Sequence, residues 1–387
     1  MNINTSRRHL MLAAVFGSTM LAATPAMAQT QEVKIGFAGP MTGPQAHYGE
    51  EMQNGILLAL KEANEKQIKI GGKPAKFVLV TRDDQADPRM GVQVAQQLVD
   101  AHISGMLGHF NSGTSIPAAR VYNEAGIPQV SMATAPEFTK LGYNTAFRMM
   151  TNDVQQGAAV GGFIVNKLGA KTVAVIDDRT AYGQGLADEL QRAVEAAGGK
   201  VVRREYTTDK ATDFAAILTN IRSAAPAAIF FGGSDAQSAP LKRQLVALGI
   251  TAPLLSGEMT RSETFLKVAG PAAEGTYASL AGVPISTLSG GKGFEDKYKA
   301  QFKKDMGVYS PYAYDGAWNL ITAMEKAGSD EPEKYLPELA KLERKGLTSD
   351  NIAYEKTGDL KEVAVTIYQV KGGKWEQVET VVSKAGK

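Results

Sequence analysis

The sequence predicts an α/β fold of two lobes, each a parallel sheet flanked by helices. Three observations carry this. Short apolar runs alternate with amphipathic stretches of helical period, the pattern of parallel strands joined by crossover helices. The alternation pauses near residue 151 and begins again as a second unit of similar size. Glycine is abundant, at 40 of 387 residues, which suits many tight turns between strands and helices.

The first unit opens with an apolar run, Val33 to Ala38, broken by Gly39-Pro40 and Gly43-Pro44. Glu50 to Asn64 has helical period, with Ile56, Leu57 and Leu60 on one face. Phe77 to Thr81 reads as a strand. Asp87 caps a helix with Pro88 at its first position, running to about Ala101. Gly105 to Gly108 is a strand end, Ile116 to Asn123 a helix, and Gln129 to Ser131 a strand. Phe147 to Thr151 closes the unit.

The second unit repeats the pattern. Asp153 to Lys167, Gly185 to Ala197, Asp213 to Ala224 and Ala236 to Leu248 read as helices. Thr172 to Ile176, Lys200 to Tyr206, Ala227 to Phe231 and Pro253 to Leu255 read as strands. The remainder is less regular. Phe294 to Met306, Tyr312 to Lys326 and Pro332 to Arg344 have helical period. Val363 to Lys371 and Trp375 to Val382 form a hairpin about Gly372-Gly373. Two such units in one exported chain imply a cleft between lobes.

Export is read from the N-terminus. Arg7-Arg8 precede an apolar stretch from Leu10 to Ala23 and an A-x-A site, Ala26-Met27-Ala28. Residues 1–28 therefore read as a signal peptide, with Gln29 the first mature residue. The stretch is too short and too rich in small residues for a membrane span. The arginine pair is compatible with twin-arginine export, while the general secretory route is the commoner destiny of such a segment. Cysteine is absent, so neither a disulfide nor an N-terminal diacyl-lipid anchor is available. A free exported protein fits the periplasm of a bacterium with two membranes. Without covalent staples the fold rests on its own core, for which about 359 mature residues are ample.

Several function classes are excluded. The net charge of +2 falls to about 0 once the signal is removed, and no basic tract suits nucleic acid. No zincin, nucleophile-elbow or P-loop motif occurs. Gly183-Gln184-Gly185 begins a G-x-G, but its third glycine position is Asp188, so it is a weak dinucleotide signal. Asp83, Asp84 and Asp87 cluster after a strand. Asp87 is read as a helix cap and the other two as structural, ahead of a metal site. No catalytic residue, metal or cofactor is expected.

What remains is a pair of polar strand ends. Asn111-Ser112-Gly113-Thr114-Ser115 lies between an apolar run and a helix start, where free N–H groups and hydroxyls suit a carboxylate or phosphate. Ser131-Met132-Ala133-Thr134-Ala135-Pro136 forms a second such junction. Two polar junctions at one sheet edge suggest one ligand held there. Helix capping alone is the competing explanation.

An ordered set of short motifs spans nearly all of the mature chain. It includes Gly39-Pro40-Met41-Thr42-Gly43-Pro44, Tyr48-Gly49, Asp83-Asp84, Gly108-His109, Ala125-Gly126-Ile127-Pro128, Tyr182-Gly183-Gln184-Gly185, Gly232-Gly233, Ala273-Glu274-Gly275 and Tyr314-Asp315. In this set the chain resembles the periplasmic branched-chain amino-acid (leucine/isoleucine/valine)-binding proteins, the substrate-binding receptors of ABC importers. The resemblance implies the type I periplasmic binding fold, two Rossmann-like lobes joined by three crossovers near Thr151, Val283 and Ile352. The first lobe would take residues 29–151 and 283–352, the second 152–282 and 353–387. It implies a monomeric receptor that performs no chemistry. A branched-chain or similar apolar L-amino acid would close the cleft, and the closed receptor would dock on permease and ATPase subunits of the inner membrane. An aromatic acid, amide or other small carboxylate is the alternative ligand, and a ligand-sensing module for a signalling partner the alternative role.

Site roles come with the same resemblance. The carboxylate-binding serine falls on Ser112, and the ammonium-binding backbone and threonine on Ala133 and Thr134. One residue is missing between the junctions relative to the leucine-binding proteins, so Met132 competes with Ala133. The tyrosines that close over the ligand fall on Tyr48 and Tyr182, and the acid opposing the ammonium on Glu258. Tyr48 packed on the lobe surface and Glu258 as an exposed loop acid are the competing readings. Two positions depart from the family pattern. A ligand-contacting tyrosine of the second lobe falls on Ser234, followed by Asp235, and Phe110 replaces a smaller aliphatic residue in the side-chain pocket. Phe110 is either a pocket wall or ordinary core. A first-lobe disulfide of many relatives falls on Ala86 and Asn111.

Overall fold

The computed structural model describes residues 30–384. The signal peptide assigned to residues 1–28 lies outside them. Strand β1 (Gln31–Gly39) leads into helix α1 (Ala46–Glu65), then β2 (Lys69–Ile70), β3 (Lys73–Asp83), α2 (Pro88–Asp100), β4 (Gly105–Gly108), α3 (Ser112–Glu124), β5 (Gln129–Ser131), the single turn α4 (Glu137–Lys140) and β6 (Ala146–Arg148). These strands form one sheet in the order β2-β3-β1-β4-β5-β6, parallel except for the β2–β3 pair. The order reverses at β1, so the loops after β1 and β4 flank a crevice at the carboxyl ends of the strands.

The second sheet follows the same logic. Its elements are α5 (Asp153–Gly162), β7 (Thr172–Asp177), α6 (Ala181–Ala196), β8 (Lys200–Tyr206), α7 (Ala215–Ala224), β9 (Ala228–Gly232), α8 (Asp235–Ala247), β10 (Leu254–Ser256), α9 (Glu263–Ala269) and β11 (Tyr277–Ala281). The chain then forms α10 (Gly291–Phe302), α11 (Ser310–Ala327), α12 (Pro332–Ala340), the small β12–β13 ladder (Glu343–Arg344 and Ile352–Ala353), and the hairpin β14 (Glu362–Lys371) and β15 (Lys374–Lys384). The second sheet runs β15-β14-β11-β10-β9-β7-β8, with only β14 and β15 antiparallel to their neighbours. Its switch point is β7, so the loops after β7, β9 and β10 face the crevice. Helix α11 packs on α1 and α12 on α11, which assigns this late segment to the first sheet.

Local chemistry explains the boundaries. Asp87 accepts from the N–H groups of Arg89 and Met90, and Asn152 from those of Val154 and Gln155, so α2 and α5 begin at side-chain caps. Thr180 caps α6 through the Gly183 N–H. Alternating Val33, Ile35 and Phe37 are all buried in β1.

Several sequence expectations shift. Helix α3 begins at Ser112 rather than near Ile116, after Asn111 in an extended conformation, and α6 at Ala181 rather than Gly185, where Thr180 caps it. Helix α10 ends at Phe302 rather than Met306, where Lys303 takes a left-handed φ of 57°. Pro332 to Arg344 divides into α12 and the short strand β12. The helix expected from Asp153 to Lys167 passes into a π-helical turn at Phe163–Lys167. Strand β11 has no local sequence signal: Tyr-Ala-Ser-Leu-Ala is mostly small residues with little strand preference.

Candidate functional site

Two loops of the first lobe supply one wall. Beyond β4 the chain turns into α3 with Asn111 in an extended conformation at the N-cap, which puts Ser112 on the first turn, buried. The Thr114 and Ser115 N–H groups turn back to the Asn111 carbonyl, while those of Ser112 and Gly113 meet no acceptor among the described residues. The Ser112 Oγ accepts the Ala135 N–H at 3.2 Å, tying the first polar junction to the second. A hydroxyl that accepts a backbone N–H is left with its own proton to donate at the positive end of a helix.

The second junction is pinned from below. Ser131 Oγ accepts the Ala133 N–H at 2.9 Å. Arg148, fully buried, donates to the carbonyls of Ala133 and Ala135 and pairs with Asp359 at 2.7 Å. The Thr134 carbonyl takes the Asp153 N–H at 2.9 Å. Of the two candidate backbone acceptors, Ala133 is therefore already engaged by a guanidinium. No described group donates to the carbonyl of Met132. Thr134 Oγ is buried and has no hydrogen-bond partner.

The second lobe brings two acids to this wall. Glu258 follows β10 on a short 3-10 turn and is only 3% exposed, so it is no exposed loop acid. Tyr182, on the first turn of α6, donates its hydroxyl to Glu258 Oε2 at 3.0 Å. Gly257 permits this approach, since a Cβ there would lie 2.2 Å from the Tyr182 hydroxyl. Asp153 at the start of α5 is fully buried, and its Oδ2 has no hydrogen-bond partner. Burial, and then the charge of Glu258, push the Asp153 carboxyl well above the usual range. Burial likewise raises Glu258. The Glu258 shift is opposed first by its own backbone and by the Gln156 and Tyr182 side chains.

The opposite end of the crevice is aromatic and polar. Tyr48 is fully buried rather than packed on the lobe surface, and its hydroxyl donates to the Met259 carbonyl of the other lobe. It stacks on Phe110 with ring centroids 5.0 Å apart, and both rings meet the edge of Tyr309, at 5.6 and 4.7 Å. Phe110 thus lies in the inter-lobe cluster. Asp235 is buried; its Oδ2 meets His47 at 2.9 Å and Ser262 at 2.5 Å, and its Oδ1 has no partner. Ser234 turns away, its Oγ donating to Gln237 within its own helix cap at 2.7 Å.

Of the ten predicted site residues, Tyr48, Phe110, Met132 and Tyr182 belong to one buried cluster, Ser112 is tied to the second junction through Ala135, Tyr182 bonds Glu258, and Ser234 bonds Gln237 of its own helix. Asp153 and Tyr309 were missed. Asp153 follows a residue that already caps its helix, so a second acid there serves no cap. Tyr309 carries no motif.

Other candidates are structural. His109 is buried between Asp84, at 2.7 Å, and the Tyr122 hydroxyl, at 3.1 Å. Asp83 accepts from the Thr42 hydroxyl and the Met41 N–H. Gly183 packs on β9, where a Cβ would lie 2.5 Å from the Gly232 carbonyl oxygen. Among the described residues no group of acids, histidines or cysteines could hold a metal ion, and no helix is long and apolar enough to cross a membrane.

Comparison with known proteins shows the family and the fold. The family model described as periplasmic binding protein matches residues 32–374. The Leu/Ile/Val-binding protein homolog 1 of Brucella suis is 32% identical over 370 residues, covering 94% of this chain and 96% of that protein. The leucine-, isoleucine-, valine-, threonine-, and alanine-binding protein of Pseudomonas aeruginosa is 32% identical over 339 residues, covering 87% and 89%. The crystal structure of the branched-chain amino acid transporter substrate binding protein LivJ from Streptococcus pneumoniae, in complex with isoleucine, superposes with a TM-score of 0.82. It is 25% identical, and the alignment covers 92% of this chain and 100% of that one.

Proposed function

The chain belongs to the periplasmic binding protein family, as an amino-acid receptor of an ABC importer and not an enzyme, and we propose that it clamps one α-amino acid of branched-chain size between its lobes. The ligand carboxylate accepts from Ser112 Oγ and the free N–H groups at the start of α3. The ammonium donates to the Met132 carbonyl, Thr134 Oγ, Asp153 and Glu258. Tyr48, Phe110, Tyr182 and Asp235 close the remaining sides; Ala133 positions the loop, and Ser234 the start of α8.

One observation carries this. Asp153 and Glu258 are both buried, and desolvation weighs against the charge of each. Burying two acids is costly without a cation. Arg148, the cation whose charge acts on Asp153, is committed to two carbonyls and Asp359. An ammonium is the complement, and an aromatic acid, the rival ligand, supplies none. The ligand bridges both lobes, so binding favours the closed arrangement.

Lobe limits at residues 151, 283 and 352 belong to the same proposal, supported by the sheet to which each segment pairs or packs. So do the cleaved signal peptide, a soluble monomer in the periplasm, and delivery to a permease whose ATPase subunits supply the energy. A thermal-shift panel of L-amino acids and aromatic acids tests the ligand class, and mass spectrometry of copurified ligand tests it independently. Stabilisation by an aromatic acid and by no α-amino acid would refute it. Affinity is expected near micromolar, about −8 kcal/mol.

A further inference from the structure

The crevice has a second polar pole that an aliphatic ligand side chain would leave unpaired. Tyr309 is 1% exposed, and its hydroxyl has no hydrogen-bond partner. Asp235 is 1% exposed, and its Oδ1 has none either. The two belong to one cluster. Tyr309 meets Tyr48 and Phe110 edge-on, and His47, the residue before Tyr48, lies 2.9 Å from Asp235 Oδ2. After burial, the charges of Glu258, Glu51 and Asp235, in that order, push the Tyr309 hydroxyl well above its ordinary value. The opposite carboxylate oxygen of Asp235 already takes His47 and Ser262, so the side chain is held and its free oxygen is fixed in direction.

We propose that Tyr309 and Asp235 select an α-amino acid whose side chain ends in a neutral group that both donates and accepts, a hydroxyl or a carboxamide. The proposal rests on the amino-acid reading above and narrows it. The chemistry of the two free atoms sets the class. Asp235 Oδ1 is an acceptor and requires a donor. The Tyr309 hydroxyl has a proton to give and requires an acceptor. A hydroxyl or carboxamide supplies both at once. An ammonium side chain supplies only the first, a carboxylate side chain is repelled by Asp235, and an aliphatic one leaves both atoms buried and unpaired. Sites built to bond a ligand hydroxyl discriminate strongly against the analogue that lacks it, because their own polar groups are stranded.

Threonine and valine share a shape and differ in this group, as do asparagine and leucine more loosely. Calorimetric titration of the purified protein with these four L-amino acids is the test. Threonine is expected to bind at least tenfold tighter than valine, and asparagine tighter than leucine. Tyr309→Phe and Asp235→Asn should each bring the threonine-to-valine ratio within threefold while valine affinity changes less. Valine and leucine binding as tightly as threonine and asparagine overturns the proposal and leaves the amino-acid reading standing. An unchanged ratio in both variants removes these two residues as its origin. Failure of every α-amino acid to bind overturns both readings together.

Discussion

His47 Nε2 lies 2.9 Å from Asp235 Oδ2, and the two residues come from opposite lobes. The next residue, Tyr48, reaches the Met259 carbonyl of the same opposite lobe. The first turn of α1 is therefore a contact that exists only while the lobes meet. Both groups are placed by the switch-point loops after β1, β9 and β10.

Because the His47 side chain is 31% exposed, its pairing is worth little in itself, about 0.5–1 kcal/mol. His47→Ala is expected to speed ligand dissociation two- to fivefold with little change in association, since the contact forms after the ligand enters. Stopped-flow fluorescence measures both rates. An effect confined to association would mean that the pair steers the ligand rather than holds the lobes.

Asp153 and Glu258 set up a trade between stability and binding. Asp153→Asn removes one of two buried acids. At pH above the raised value, where Asp153 would ionise, ligand-free protein is expected to gain stability, and affinity for an α-amino acid to fall by about 2–4 kcal/mol. Denaturant titration and calorimetry read the two halves separately. Loss of affinity with loss of stability would instead mark Asp153 as a structural residue.

The same pair makes binding pH-dependent. Both carboxyls have raised pKa values in the folded protein. An acid raised on folding contributes stability that is present below its unfolded pKa and is lost as pH rises through the folded one. An ammonium ligand reverses this locally by favouring the ionised form. Affinity should therefore rise with pH through the raised values, and binding should release protons. Calorimetry in two buffers of different ionisation enthalpy detects that release as a difference in apparent heat. Identical heats in the two buffers would mean that the acids are already ionised before the ligand arrives.

Ser112 tests the carboxylate end. Its hydroxyl accepts from Ala135 and has its proton to spare. Ser112→Ala should weaken binding by roughly 1–3 kcal/mol with a smaller effect on folding. Amino-acid amides, which lack the carboxylate charge, should be much less sensitive to the substitution.

How far the sequence reached follows from which interactions are local. Strand and helix identity is written in apolar period and caps, so β1, α2 and the β14–β15 hairpin were legible. Ser112 and Thr134 were legible as polar strand ends. Tyr182 and Glu258 were reached only through the family resemblance. The partner of Arg148 is Asp359, 211 residues away, and no local pattern announces that pair. Tyr309 and Asp153 gain their character from burial beside residues of the other lobe, which the chain creates only on folding. Ser234 illustrates the reverse. Its position matched a ligand contact, yet a serine is short and the Gln237 side chain three residues on engages it first.

Asp178 offers a test remote from the ligand. It follows β7, is 5% exposed, and accepts from the Thr180 N–H at 3.0 Å and the Thr180 hydroxyl at 2.6 Å. Burial pushes its carboxyl up to about 6, with Asp209 and Asp177 adding to the shift and Thr180 opposing it. The sign follows as for any raised acid: its contribution favours folding at low pH and is lost as pH rises through about 6. The full change is on the order of 3 kcal/mol. Asp178→Asn keeps an oxygen for Thr180 and removes the charge. The stability difference between variant and wild type should be small near pH 4, grow as pH rises, and level off above about 7. Urea titrations across that range measure it. A difference constant with pH would show that Asp178 is ionised without cost, its burial offset fully by Thr180.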